Sequence, residues 1–271
     1  MTAPGDAWAP LADAFVDGAY ATVKGRVRTY VLHQQLLRHL PPLPASVLDV
    51  GGGAGHQSLP LARLGHQVTV LDPSGAMLER AAQRVGAEPE EVRRRVRLVR
   101  ADGEDASRAL GGETFEAVLC HGVLMYLSSP DRLVRELCRC VAPGGLVSVM
   151  ALSRDALAVR PAVEQRWADA LAAFEADGEV GVLGTPTRAD TVDGLSRLLR
   201  AGGVDPVAWY GVWLFADLLE LPPETTDVEA VAAVELQASL RDPYRGLSRV
   251  FHLVGSRHTG ATAPASPEDP T

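Results

Sequence analysis

The run Val47-Leu48-Asp49-Val50-Gly51-Gly52-Gly53-Ala54-Gly55-His56 constrains this chain more than any other stretch. A short β-prone segment ends in a cluster of glycines, and a helical pattern opens directly after it. The backbone therefore turns tightly from a strand into a helix. Glycines 51, 53 and 55 permit that turn and let a ligand approach the backbone without a Cβ in the way. The dinucleotide-binding pattern needs Gly or Ala at the sixth position of G-x-G-x-x-G, and counted from Gly51 that position is His56. G-x-G-x-G describes the loop better. The spacing argues against a pyrophosphate cradle, and so against a nicotinamide oxidoreductase, and for a flatter amino-acid moiety.

The loop sits in a regular alternation. Strands are predicted at Ser46–Val50, Gln67–Leu71, Val96–Arg100, Phe115–Cys120 and Leu146–Ala151, with helices near His56–Leu64, Ser74–Val85 and Pro130–Val141. This rhythm implies right-handed crossovers and a mostly parallel sheet with helices on both faces. Before it, apolar residues at Val27, Val31, Leu32, Leu36, Leu37 and Leu40 predict a helix over 24–40, stopped by Pro41-Pro42. After Leu152 the rhythm changes. An insertion at about 153–190 carries a helix from Pro161 to Ala176 and a Gly-rich loop. Helices at Thr191–Ala201 and Val228–Leu240 then alternate with strands at Val207–Phe215 and Leu247–Gly255. The expectation is an α/β fold with a seven-stranded sheet and a helical lid insertion. Residues 1–18 read as a flexible N-terminus, 19–257 as one domain and 258–271 as a disordered tail.

Composition narrows the function classes. The 271 residues carry 26 Lys+Arg against 34 Asp+Glu, a net charge of −8, which argues against bulk electrostatic binding of nucleic acid but leaves room for a local basic patch. No apolar run approaches the ~20 residues that span a bilayer, and residues 1–10 carry no signal-peptide pattern, so a cytoplasmic protein without a membrane partner is expected. Cys120, Cys138 and Cys140 form neither a disulfide scaffold nor a zinc pattern, and no metal site is expected.

Asp72 closes the second strand, 17 residues after Gly55. A carboxylate there accepts hydrogen bonds from both hydroxyls of a ribose, while Ser74 caps the next helix and leaves Asp72 for the ligand. Ala101-Asp102-Gly103-Glu104-Asp105 follows the third strand, where an adenine would lie. His121 ends the fourth strand near the switch point of the sheet, and Ala142-Pro143-Gly144-Gly145 reads as a turn before the fifth.

Together these pieces resemble the class I S-adenosylmethionine-dependent methyltransferases, over about residues 20–255. Lys24-Gly25-Arg26-Val27-Arg28, the triple-glycine loop, Gly65-His66-Gln67-Val68, His121-Gly122-Val123-Leu124 and Asp242-Pro243-Tyr244 with Arg249 and His252 resemble one bacterial subfamily more closely. Its members methylate the carboxylate of carboxymethoxyuridine in the tRNA anticodon loop. The resemblance implies S-adenosylmethionine as cofactor. It places Arg28 on the methionine carboxylate, Gly51 and Gly52 along the methionine end, Gly53 beside them in the cofactor-binding loop, and Asp72 on the ribose. Gly103 and Glu104 would bracket the adenine, and His121 would close the pocket. The chain departs from the subfamily at Met125-Tyr126, where an acidic residue and an aromatic are usual, and at Ser153-Arg154-Asp155 with its Ala-rich helix.

Methyl transfer to a carboxylate needs no general base, because that acceptor is already ionised near neutral pH. It needs a cationic anchor, for which Arg249 with Tyr244 is the candidate. The expected acceptor is thus a small acid or a modified tRNA uridine. A non-catalytic S-adenosylmethionine-binding regulatory partner, and an O- or N-methyltransferase of specialised metabolism, are the alternatives.

Overall fold

A computed structural model describes residues 20–181 and 184–259. The expected flexible N-terminus, 1–18, lies outside the described residues, as does the tail beyond Thr259. Helix α1 (Val23–Leu36) is capped by the Thr22 hydroxyl, which accepts from the Gly25 amide, and it buries Val27, Val31, Leu32 and Leu36 on one face. It ends four residues short of the expected Leu40. The Arg38 and His39 amides bond back three residues, to the Gln35 and Leu36 carbonyls, which tightens the last turn before the two prolines.

The alternating half follows as β1 (Ser46–Val50), α2 (Ser58–Leu64), β2 (Gln67–Asp72), α3 (Gly75–Gly86), α4 (Glu90–Arg93), β3 (Val96–Arg100), α5 (Ala106–Ala109), β4 (Phe115–His121), α6 (Asp131–Cys140) and β5 (Val141–Leu152). The expected turn at Ala142–Gly145 is instead a bulge inside β5. Pairing with β4 skips from Phe115 opposite Val141 to Ala117 opposite Leu146, and Gly144 takes φ +77°.

The insertion differs from expectation. The single helix over 161–176 is broken into α7 (Val159–Val163) and α8 (Trp167–Ala173). Gln165 adopts φ +59°, its amide donates to the Ala162 carbonyl, and the Arg166 amide donates to that of Pro161. That is a Schellman end with glutamine at the left-handed position where glycine is usual, so the break has no glycine to announce it. The Gly-rich loop contains a hairpin, β6 (Gly178–Val180) and β7 (Pro186–Arg188).

Helix α9 (Val192–Ala201), β8 (Val204–Val212), α10 (Phe215–Leu218), α11 (Val228–Ala238) and β9 (Val250–Arg257) complete the chain. Strand β8 stops at Val212, three residues before the expected Phe215. Trp213 turns to φ +64°, and the buried Glu235 carboxylate of α11 accepts from the Leu214 and Ala216 amides, which starts α10 instead. The last strand begins at Val250 because 244–247 form a 3-10 turn.

The sheet order is β3-β2-β1-β4-β5-β9-β8, and β9 runs opposite to the other six strands. α5, α6 and α9 pack on one face of the sheet, and α1, α2 and α11 on the other. Cys120, Cys138 and Cys140 are free thiols buried in this structure, and burial pushes all three up. Among the described residues no helix is long and apolar enough to cross a membrane. Strand order reverses between β1 and β4, and the crevice at their carboxyl ends is where an open α/β sheet binds ligands.

Candidate functional site

The glycine loop leaves β1 into that crevice. Gly51 has φ +69°, and a Cβ there would stand 2.3 Å from Val123 Cγ2, so the position excludes any side chain. The Gly53 amide donates to Asp72 Oδ2 and the Ser74 amide to Asp72 Oδ1, both at 2.9 Å. Ser74 caps α3 through its hydroxyl, as expected. Asp72 is therefore engaged by backbone on both oxygens: it braces the loop as well as facing the crevice.

Asp49 was not singled out by its position in the loop. It is buried on β1, accepts from the Ser58 hydroxyl at 2.6 Å, and would touch any Cβ placed on Gly52. Burial, with Asp72 nearby, raises it to about 6 against the Ser58 hydrogen bond. Its folded-state value thus lies above the ordinary one near 3.8, so its ionisation works against the fold as pH rises through about 6. Asp49→Asn is expected to stabilise the protein at pH 8, by up to about 3 kcal/mol, and to change little near pH 4. Melting curves at the two pH values check this, and equal shifts at both would show that the charge is carried without cost.

The N-terminal helix roofs the loop. Tyr20 stacks on His56 with ring centroids 3.7 Å apart and 10° between planes, which gives His56 a role at the position where a dinucleotide site needs glycine. The Arg28 guanidinium lies over the Tyr20 ring at 4.4 Å and over Trp213 at 5.5 Å. Its Nε is buried with no hydrogen-bond partner among the described residues. Arg26 points to solvent. Arg28→Ala is therefore expected to weaken cofactor binding about tenfold or more, by loss of a charge-assisted hydrogen bond, whereas Arg26→Ala changes it little. Titration calorimetry of the two variants is the check, and equal losses would mean that only general charge matters.

On the other side of the crevice, a Cβ on Gly103 would stand 2.7 Å from Val50 Cγ1, so this residue packs where nothing larger fits. Glu104 pairs with Arg132 at 3.3 Å and caps nothing. His121, at the tip of β4, has Nε2 2.8 Å from Ser148 Oγ, while its Nδ1 is buried with no hydrogen-bond partner among the described residues. Burial, with Arg28 adding to it, lowers His121 to about 3. The crevice thus holds two buried nitrogens, Arg28 Nε and His121 Nδ1, without partners among the described residues, an arrangement suited to a polar ligand.

Beyond the end of β5 lies a small cavity of about 10 Å³, room for roughly one water, lined in part by Ser153, Arg160, Glu179, Trp213, Asp217 and Arg249. Arg160 holds the buried Asp217 through Nε at 2.9 Å and Nη2 at 2.6 Å, and Lys24 pairs with the same carboxylate. Burial alone would raise Asp217, but Arg160, Arg249 and Lys24 hold it below the usual carboxylate range. Arg249 pairs with Glu179 of β6 and lies 3.7 Å from Asp217. Three cations face two carboxylates. Trp213 forms a wall of this cavity and also lies under Arg28 and Lys24, so the cavity adjoins the crevice. Tyr244 is half-exposed against Phe215 and is not part of the lining, so the structure does not bring it to Arg249 in this cavity. Arg160, Asp217, Glu179 and Trp213 escape a sequence reading because they come from separate elements with no shared spacing.

Residues 48–149 match the family model described as a methyltransferase domain. Over 252 residues the chain is 28% identical to the tRNA 5-carboxymethoxyuridine methyltransferase of Escherichia coli K12, covering 91% of this chain and 94% of that protein. It is 35% identical over 117 residues to the ubiquinone biosynthesis O-methyltransferase of Methylobacterium nodulans, covering 43% of this chain and 45% of that protein. Among solved structures, the CcbJ methyltransferase of Streptomyces caelestis superposes with a TM-score of 0.59 at 18% identity, over 94% of this chain and 98% of that one. The glycopeptide N-methyltransferase MtfA, complexed with S-adenosylmethionine, gives 0.54 at 17% identity, over 85% and 94%.

Proposed function

We propose that this S-adenosylmethionine-dependent methyltransferase, with its methyltransferase domain at residues 48–149 on the class I fold, methylates a carboxylate, that of a carboxymethoxy-modified uridine in tRNA. The crevice residues fit the cofactor: Arg28 Nε offers a donor to its carboxylate, His121 Nδ1 an acceptor to its ammonium, and Asp72 oxygens to its ribose hydroxyls. Gly103 and Glu104 border the adenine side. Bound cofactor supplies a methyl group on a sulfonium, open to direct displacement. The chain's own residues position the two partners, and orientation of this kind lowers a barrier by ~7–11 kcal/mol without a protein nucleophile.

The observation that carries the acceptor reading is the cavity behind Trp213. Arg249, Arg160 and Lys24 converge there on the carboxylates of Asp217 and Glu179, next to the crevice. An acceptor carboxylate there would replace Glu179 on the Arg249 guanidinium, whose planar fork suits that geometry. His121 is neutral and too weak a base to deprotonate a hydroxyl, in keeping with an acceptor that arrives ionised. The full-length similarity to the Escherichia coli tRNA enzyme supports tRNA as the carrier, with the cytoplasm as its place. So do Trp167 at the start of α8 and Phe174 just past its end, which are 67% and 72% exposed and offer surfaces on which anticodon-loop bases can stack.

The test is mass spectrometry of tRNA nucleosides after incubation with enzyme and labelled S-adenosylmethionine, beside a panel of small carboxylic acids. Label in the methyl ester of the carboxymethoxy-uridine is the expected result. The net charge of −8 favours a small acid as the second reading, and label only in that panel would replace tRNA with it.

A further inference from the structure

His252 is fully buried on β9, yet nothing in the cofactor or acceptor reading uses it. It is the middle of a polar chain that crosses the α1 face of the sheet. Gln35 Nε2 donates to the Gly211 carbonyl at 3.0 Å, and Gln35 Oε1 lies 2.9 Å from His252 Nδ1. His252 Nε2 lies 2.7 Å from Ser148 Oγ, which lies 2.8 Å from His121 Nε2. Gln35, Ser148 and His252 are each 0% exposed, so no solvent proton mends a wrong orientation.

The direction of every bond follows from one end. The Gly211 carbonyl only accepts, so the Gln35 amide nitrogen faces it and Gln35 Oε1 is left as an acceptor toward His252. His252 Nδ1 therefore carries the proton. Burial, with His121 and His39 nearby, keeps this ring neutral, so its Nε2 is bare and accepts a hydrogen bond from the Ser148 hydroxyl. The Ser148 oxygen then accepts from His121, whose Nε2 is protonated. His121 is neutral as well, so its Nδ1 is left as a bare lone pair, the buried atom that has no partner among the described residues.

We propose that Gln35, His252 and Ser148 are positioning residues that lock His121 in the Nε2–H tautomer, so that its Nδ1 receives the α-ammonium of the cofactor's methionine end beside Arg28. The proposal rests on the reading of the crevice as the S-adenosylmethionine site. With the other tautomer, a ring N–H would face the ammonium and repel it. The chain also ties the crevice to α1, the helix that carries both Gln35 and Arg28, so one rigid element sets the donor on one side and the acceptor on the other.

The tautomer is read directly by long-range 1H–15N correlation spectra of 15N-histidine-labelled, cofactor-free protein. A bare Nδ1 and a protonated Nε2 on His121, with the reverse on His252, are the expected result. Protonation of His121 at Nδ1 overturns the proposal whatever the cofactor does. Ser148→Ala then breaks the chain at a small side chain. It is expected to mix the His121 tautomers and to weaken S-adenosylhomocysteine binding about tenfold, while 5′-methylthioadenosine, which lacks the amino-acid end, binds as it does to wild type. Ser148→Thr restores the hydroxyl and should recover most of the affinity. Unchanged S-adenosylhomocysteine affinity in Ser148→Ala, or an equal loss for both ligands, overturns the positioning role. Failure of wild type to bind either ligand overturns the cofactor reading of the crevice instead, and the wild-type spectrum still decides the tautomer.

Discussion

Asp72→Ala is expected to raise the dissociation constant for S-adenosylhomocysteine by roughly a hundredfold or more. Two ribose hydroxyls each lose a charged acceptor, at about 1.5–3 kcal/mol per bond. A second loss comes from within the protein. The Gly53 and Ser74 amides, now 2.9 Å from the two Asp72 oxygens, are left without that partner in a buried place, so the glycine loop loosens and the melting temperature falls. Asp72→Asn keeps one acceptor oxygen and should lie between wild type and alanine on both measures. Calorimetric titration beside thermal melting separates the two effects. A dissociation constant within twofold of wild type in the alanine variant would remove Asp72 from the cofactor site.

Arg249→Ala should cost about a hundredfold or more in turnover on the carboxylate acceptor at saturating cofactor, with affinity for S-adenosylhomocysteine almost unchanged. The guanidinium sits beyond Trp213 in the small cavity at the end of β5, and its ion pairs among the described residues are with Glu179 and Asp217 and not with the glycine loop. Its removal leaves Asp217 with Arg160 and Lys24 but leaves the largely buried Glu179 without Arg249, so stability falls as well, and melting curves separate that loss from the loss of turnover. Arg249→Lys recovers part of the turnover, since a point charge lacks the planar fork. Glu179→Ala provides the opposite sign: it vacates the guanidinium and should lower KM for the acceptor. Wild-type turnover in Arg249→Ala would show that the acceptor is held elsewhere.

The crevice at the edge of the sheet was largely legible in the sequence because its parts are local. The glycine loop, Asp72 and His121 each sit at the end of a strand whose apolar run marks it, and strand order in a right-handed α/β sheet brings those ends to one edge. Gln165 shows the limit of local signals: it holds a left-handed position that the sequence gives no reason to suspect, and one expected helix became two. Trp213 shows it again, ending β8 early by a backbone turn that Glu235, in a different helix, completes.

Periodicity of 2 or 3.6 residues records which face of an element is buried, and that was enough to determine the seven-stranded α/β fold and the crevice at its edge. It does not record which buried polar groups meet across the sheet. Only the tertiary structure decided that Gln35 reaches His252, 217 positions away, and that Lys24 and Arg160 converge on Asp217. The register of β5 against β4 and β9 lines His121, Ser148 and His252 along one face, and helix packing supplies the rest. A buried polar group is stable only with a partner, and that partner is chosen by position in space, which no spacing along the chain encodes.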